Sequence, residues 1–211
     1  MTLARQSIMA RLAAAGAVAT LAAGGVLAAT AGPASASTTV KVTYRVTGST
    51  YIKAPNFTLS LGPGRLVSRV NLKTGKLTAR LSMPNATGSF TEADLVPVTA
   101  TTQFINDGPT TGRVNLTTGA VRTKSKITLR LVSLTVAGLP VSVGNSCETK
   151  SAAVVRLTSQ KGFNVLDGGN LSGGYTIPKF HHCGLATILI NLTIPGSGNT
   201  ISLTLGKAKV G

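Results

Sequence analysis

The residues best suited to chemistry lie in one stretch, Gly174-Tyr175-Thr176-Ile177-Pro178-Lys179-Phe180-His181-His182-Cys183-Gly184. It holds both histidines and one of the two cysteines. The other cysteine ends Gly144-Asn145-Ser146-Cys147. Nucleophilic catalysis requires a base beside Ser or Cys. The two histidines are adjacent, and adjacent strand residues point to opposite faces, so at most one lines a given pocket. No Gly-x-Ser-x-Gly elbow occurs. Of the acids Glu92, Asp94, Asp107, Glu148 and Asp167, only the first two stand close in sequence. Two residues apart on one strand face, they would sit ~7 Å apart. That spacing suits two-carboxylate glycoside chemistry, but the pair reads more simply as a solvated loop before a strand. His181, His182 and Asp167 fall short of a metal-ligand pattern. The residues therefore point to a protein that is not an enzyme, with no metal and no cofactor, and to histidines that pack and hydrogen-bond.

The cysteines acquire their meaning from the start of the chain. Arg5 and Arg11 precede an apolar run from Leu12 to Ala31, and Ala34-Ser35-Ala36 follows as a cleavage site. Residues 1–36 are read as a secretion signal peptide rather than a membrane anchor, because the run is mostly Ala and Gly. No cysteine stands at the cleavage point to take a lipid, and no wall-sorting motif occurs near Lys207-Ala208-Lys209-Val210-Gly211. A secreted, extracellular product follows, with no transmembrane segment left after cleavage. In an oxidising compartment two cysteines form one disulfide, here Cys147 with Cys183.

Cleavage leaves 175 residues carrying 19 Lys and Arg against five Asp and Glu, a net charge of +14. Such a basic protein is drawn to polyanions. Outside a cell these are anionic envelope polymers, anionic lipid surfaces and DNA, and nothing marks a dedicated nucleic-acid partner. The absence of Trp and an aromatic content of 4% leave little for a sugar-stacking platform.

The elements that must position these groups repeat with period two. Val40, Val42, Tyr44 and Val46 alternate with Lys41, Thr43, Arg45 and Thr47, as in a half-buried strand. Phe57, Leu59 and Leu61 repeat the pattern until Gly62-Pro63-Gly64 ends it. Arg69-Val70-Asn71-Leu72-Lys73-Thr74-Gly75 recurs as Arg113-Val114-Asn115-Leu116-Thr117-Thr118-Gly119, two similar hairpins. The strands returning from these turns carry the charge. Lys76 and Arg80 share the outer face of one. Arg122, Lys124, Lys126 and Arg130 share that of the other, a basic stripe about 26 Å long. It would serve either to hold a polyanion or to keep a strand soluble. Leu185 to Leu192 reads as a further strand, and Asn191 to Leu205 as a closing hairpin across Pro195-Gly196-Ser197-Gly198-Asn199. With no convincing helical stripe, residues 37–211 are expected to form a single antiparallel β-sandwich.

One resemblance extends over most of this region. The Ala34-Ser35-Ala36 site, the Asn-Leu-x-Thr-Gly hairpins, Gly138-Leu139-Pro140, Ser146-Cys147, Tyr175-Thr176-Ile177-Pro178, Cys183-Gly184 and Gly196-x-Gly198-Asn199-Thr200 occur in order. In this the chain resembles the small secreted β-rich proteins of streptomycetes and related actinobacteria. The resemblance implies an exported actinobacterial protein and brings no activity or functional residue with it. Two functions are therefore expected. The first is binding of anionic envelope or extracellular polymers through the basic strand face. The alternative is carriage of an apolar, lipid-like ligand between the sheets.

Overall fold

A computed structural model describes residues 38–92 and 95–211. The signal peptide assigned to residues 1–36 lies outside the described residues, as does Asp94. Eight strands close into an antiparallel barrel: β1 (Thr39–Ile52), β2 (Phe57–Asn71), β3 (Lys76–Ser82), β6 (Thr110–Val114), β7 (Val121–Val136), β10 (Ala153–Ser159), β11 (Gly169–Ile177) and β13 (Gly196–Leu205). They neighbour one another in that order, and β13 pairs with β1 to complete the ring. The expected sandwich is thus corrected to a barrel. Both architectures read as alternating strands, and only the long-range pairings of β7 with β10 and of β13 with β1 distinguish them.

Antiparallel pairing sends every second connection to the same end. At one end the connections 72–75, 115–120 and 160–168 lead directly back into the barrel. At the other end, excursions insert β4 (Ala86–Glu92) and β5 (Val96–Asn106), then β8 (Leu139–Val141) and β9 (Glu148–Thr149), then β12 (Phe180–His181) and a helix, α1 (Ala186–Thr193). A last strand, β14 (Lys209–Val210), runs along β1 beyond the end of β13. The core divides accordingly. Val42, Tyr44, Val46, Leu61, Leu157 and Leu203 lie among the residues filling the barrel. A second cluster, built around Leu131, Leu134, Ile177, Phe180 and the cysteines, forms a cap.

The anticipated inward alternation of β1 holds, with Val42, Tyr44 and Val46 all buried. Gly62-Pro63-Gly64 does not end β2, however. The strand bulges there against Val46–Gly48 and continues to Asn71. One extra residue moves the inward set from Leu59 and Leu61 to Ser68 and Val70. Gly62 permits this at φ 89°, where an added Cβ would stand 2.6 Å from the Val46 carbonyl oxygen.

The segment from Leu185 to Leu192 is also corrected, from strand to helix. Its near-continuous aliphatic run carries no decisive period, and local hydrogen bonds favour the helical turn. The Thr187 hydroxyl donates to Gly184 O at 2.8 Å and accepts from Cys183 N at 3.2 Å. The Asn191 amide both accepts from Phe180 N and donates to Phe180 O, at 2.7 and 2.9 Å. The closing hairpin is accordingly replaced by this helix and β13, which starts at Gly196.

The Cys147–Cys183 disulfide is present, with both cysteines fully buried and 36 residues apart. It joins the β9 excursion to the helix. In the chain-entropy description a loop of this length stabilises the fold by about 4 kcal/mol.

The turn end of the barrel is closed by its own loop. Phe163 and Val165 pack against the barrel core, and the Tyr44 hydroxyl donates to Val165 O at 2.7 Å. Burial pushes the Tyr44 pKa up to about 12. The folded chain therefore holds this proton more tightly than the unfolded chain. The resulting stabilisation is complete below about pH 10 and is lost as pH rises through about 12. Thermal melts are expected to show Tm falling across that window, and Tyr44→Phe should flatten the fall. An equally steep decline in the variant would exclude Tyr44 as its cause.

Candidate functional site

Alternation sorts side chains by the side of the barrel they face, and the charges all go outside. The eight barrel strands carry twelve Lys and Arg and no Asp or Glu. None of the twelve lies on β11 or β13. The cations therefore form a belt over six adjacent strands, with an uncharged sector opposite.

The residues expected from sequence fall within this belt. Arg122, Lys124 and Lys126 are exposed on β7, and Lys76 and Arg80 are exposed on β3. Register shows what joins them. Lys76 stands opposite Arg113, which stands opposite Arg122, so three cations cross three neighbouring strands. One step along, Lys41, Arg69, Thr78, Thr111, Lys124 and Arg156 follow one another from β1 to β10. At ~4.8 Å per strand that row extends about 24 Å around the barrel. The basic feature is thus broader around the barrel than along β7, where Arg122 to Lys126 covers about 13 Å. Arg130 leaves the field, because Glu148 accepts hydrogen bonds from its Nη2 at 3.0 Å and its Nε at 3.3 Å. This is the single ion pair among the described residues.

Sequence reading passed over half of the belt. Lys41, Arg69, Arg113 and Arg156 each oppose another cation across strands. Arg45 opposes Arg65, and with Lys207 and Lys209 they line an open surface groove of about 430 Å³. Their outward positions followed from alternation, but their convergence depends on pairings between residues up to 168 positions apart, that of Val42 with Val210.

The turns that begin two of the charged strands share one construction. Asn71 Oδ1 accepts from Lys73 N and Thr74 N, and Asn115 Oδ1 accepts from Thr117 N and Thr118 N. Gly75 and Gly119 end these turns at φ 68° and 76°. A third turn, from Asn164 to Gly168, has the same construction. Asn164 Oδ1 accepts from Leu166 N and Asp167 N, and Gly168 closes the turn at φ 86°. The shared signal is Asn-x-x-x-Gly, without the flanking Arg-Val.

The residues that first suggested chemistry are arranged differently from expectation. The His181 and His182 rings face each other at 4.0 Å, because His182 leaves β12 with φ 56° and its ring does not alternate away. His181 stands opposite Glu148, itself held by Arg130. Among the described residues no three of His, Cys, Asp and Glu gather to hold a metal. Inside the barrel are two apolar cavities of about 70 and 60 Å³, both bordered by Leu81, Ser125, Leu157 and Leu203. Each is about half or less of the ~150 Å³ that accommodates benzene in an engineered protein cavity. In comparisons with protein-family models, curated proteins and solved structures, the chain matches none.

Directly opposed like charges destabilise a sheet by a few tenths to ~1 kcal/mol each. Raising salt from 0.02 to 0.3 M is therefore expected to raise Tm, since screening weakens these repulsions. Arg113→Thr, at the centre of the three-cation row, should stabilise the protein at low salt and reduce that salt dependence. Chemical denaturation at both salt concentrations measures the two effects. A loss of stability in Arg113→Thr would show that the row is not repulsive.

Proposed function

We propose that this is an exported, non-catalytic protein that holds anionic envelope or extracellular polymers against the basic belt of its barrel. The carrying observation is the run of opposed cations without intervening acids, Lys76–Arg113–Arg122 beside Lys41–Arg69 and Lys124–Arg156. A chain that only needed a soluble surface would gain as much from interspersed charges of both signs, without repulsion. A linear polyanion converts that repulsion into attraction and releases its counterions. The groove between Arg45, Arg65, Lys207 and Lys209 offers a place where such a chain is held from two sides. The small volume of the interior cavities favours this reading over carriage of a lipid-like ligand. The disulfide is consistent with export, as is the reading of residues 1–36 as a signal peptide.

Retention on immobilised polyphosphate across a salt gradient tests the proposal. Affinity is expected to fall log-linearly with salt. The double variant Lys124→Gln/Arg156→Gln should lower the slope by about 1.5, while Arg130→Gln, whose charge Glu148 already occupies, should leave it nearly unchanged. Identical elution of wild type and the double variant would exclude the belt as the binding surface.

A further inference from the structure

Helix α1 is apolar on both sides. Ala186 and Ile190 are buried in the cap beside Phe180 and Cys183. The outer side presents Leu185, Ile188, Leu189 and Leu192, spaced i, i+3, i+4 and i+7, which form one stripe. Leu185 is 100% exposed, Ile188 74% and Leu192 82%. Leu139, 70% exposed, pairs with Val136 of the same cap. It continues the cross-strand row Phe90–Val98–Val136, which packs on the cap core. A helix of this kind is ordinarily covered on both sides, and an aliphatic patch of this kind marks a contact surface.

We propose that this stripe docks the protein on an anionic lipid surface, the helix lying in the plane of the headgroups. Three features select that occupant. The first is the state of the helix's polar groups. Thr187 bonds to Gly184, Asn191 to Phe180 and Thr193 to Leu189, so entry into an apolar boundary strands no side-chain donor or acceptor. The second is shape and composition. The stripe stands out from the cap, with Leu185 fully exposed, and is wholly aliphatic, without the Trp, Tyr or Arg anchors that dominate protein interfaces. A deformable lipid boundary needs no complementary pocket. The third is charge. Lys179 precedes Phe180, the residue clamped to Asn191, and its carbonyl accepts a hydrogen bond from Lys150 N. Both lysines are exposed, whereas Glu148 is engaged by Arg130. A basic flank beside an aliphatic stripe complements anionic headgroups. In a symmetric contact with a second copy, that same flank would meet its own charge. Eight residues measure about 12 Å, suited to lying on a bilayer. No helix among the described residues is long and apolar enough to cross one.

The test is sedimentation of the disulfide-bonded protein with vesicles, either of phosphatidylcholine alone or of phosphatidylcholine with an equal part of phosphatidylglycerol. Wild type is expected to partition onto the anionic vesicles at least tenfold more than onto the neutral ones. A substantial fraction should stay bound in 0.5 M salt. Leu185→Ser/Leu192→Ser removes two exposed side chains, so the fold is retained, and binding should drop at least tenfold. Lys124→Gln/Arg156→Gln should retain most of its high-salt binding, which separates this surface from the barrel belt. Equal vesicle binding by wild type and the leucine double variant would overturn the proposal. So would a dimer in analytical ultracentrifugation that the double variant disperses while wild type ignores vesicles.

Discussion

Strand β7 carries the constraint on which the rest of the structure depends. Its first half pairs with β6 on one edge and β10 on the other, and the pairing with β10 closes the barrel. Its second half pairs with β5, β8 and β9 and so carries the cap. Closure removes the sheet edges and fixes one inside and one outside for every strand. Aliphatic residues fill the inside. The many cations have only the outside, and because six neighbouring strands contribute them, they are brought together. The belt is thus a consequence of closing a sheet whose outward positions are basic. A bulge in β7, where Leu131 and Ser133 oppose the consecutive Thr102 and Thr101, then switches the inward set of β7 from Leu131 to Leu134 and Val136, turning the strand from barrel wall to cap wall.

Much of this was legible in residues. The inward set Val42, Tyr44 and Val46, the outward set Arg122, Lys124 and Lys126, the two Asn-Leu-x-Thr-Gly turns and the cysteine pair could all be read locally. Alternation and turn chemistry act over a few positions, and two cysteines leave one pairing. The barrel was not legible, because a sandwich strand and a barrel strand alternate alike. Helix α1 was hidden by a run of Ile and Leu that suits either state. Its deciding features, the Thr187 and Asn191 hydrogen bonds, reach back to residues whose positions are set by the disulfide. The histidines misled for a related reason: alternation holds within a strand, and His182 lies just past the end of one.

The site was legible in type but not in shape. Sequence identified an excess of basic residues and two strands that carry six of them on their outer faces. The opposition of Lys76, Arg113 and Arg122 required the register of three strands. The groove of Arg45, Arg65, Lys207 and Lys209 required the last residues of the chain to lie along the first strand. Arg130 looked equivalent to its neighbours until Glu148, on β9, was placed beside it.

Binding through the belt makes a spatial claim that nuclear magnetic resonance reads directly. Backbone amide shifts should be followed during titration with soluble polyphosphate at low salt. Changes are expected on β1, β2, β3, β6, β7 and β10 near the opposed cations and around Lys207 and Lys209. The uncharged outer faces of β11 and β13 should stay unchanged. Shifts of equal size all around the barrel, or none near Arg113 and Lys124, would contradict a belt built to hold a polyanion.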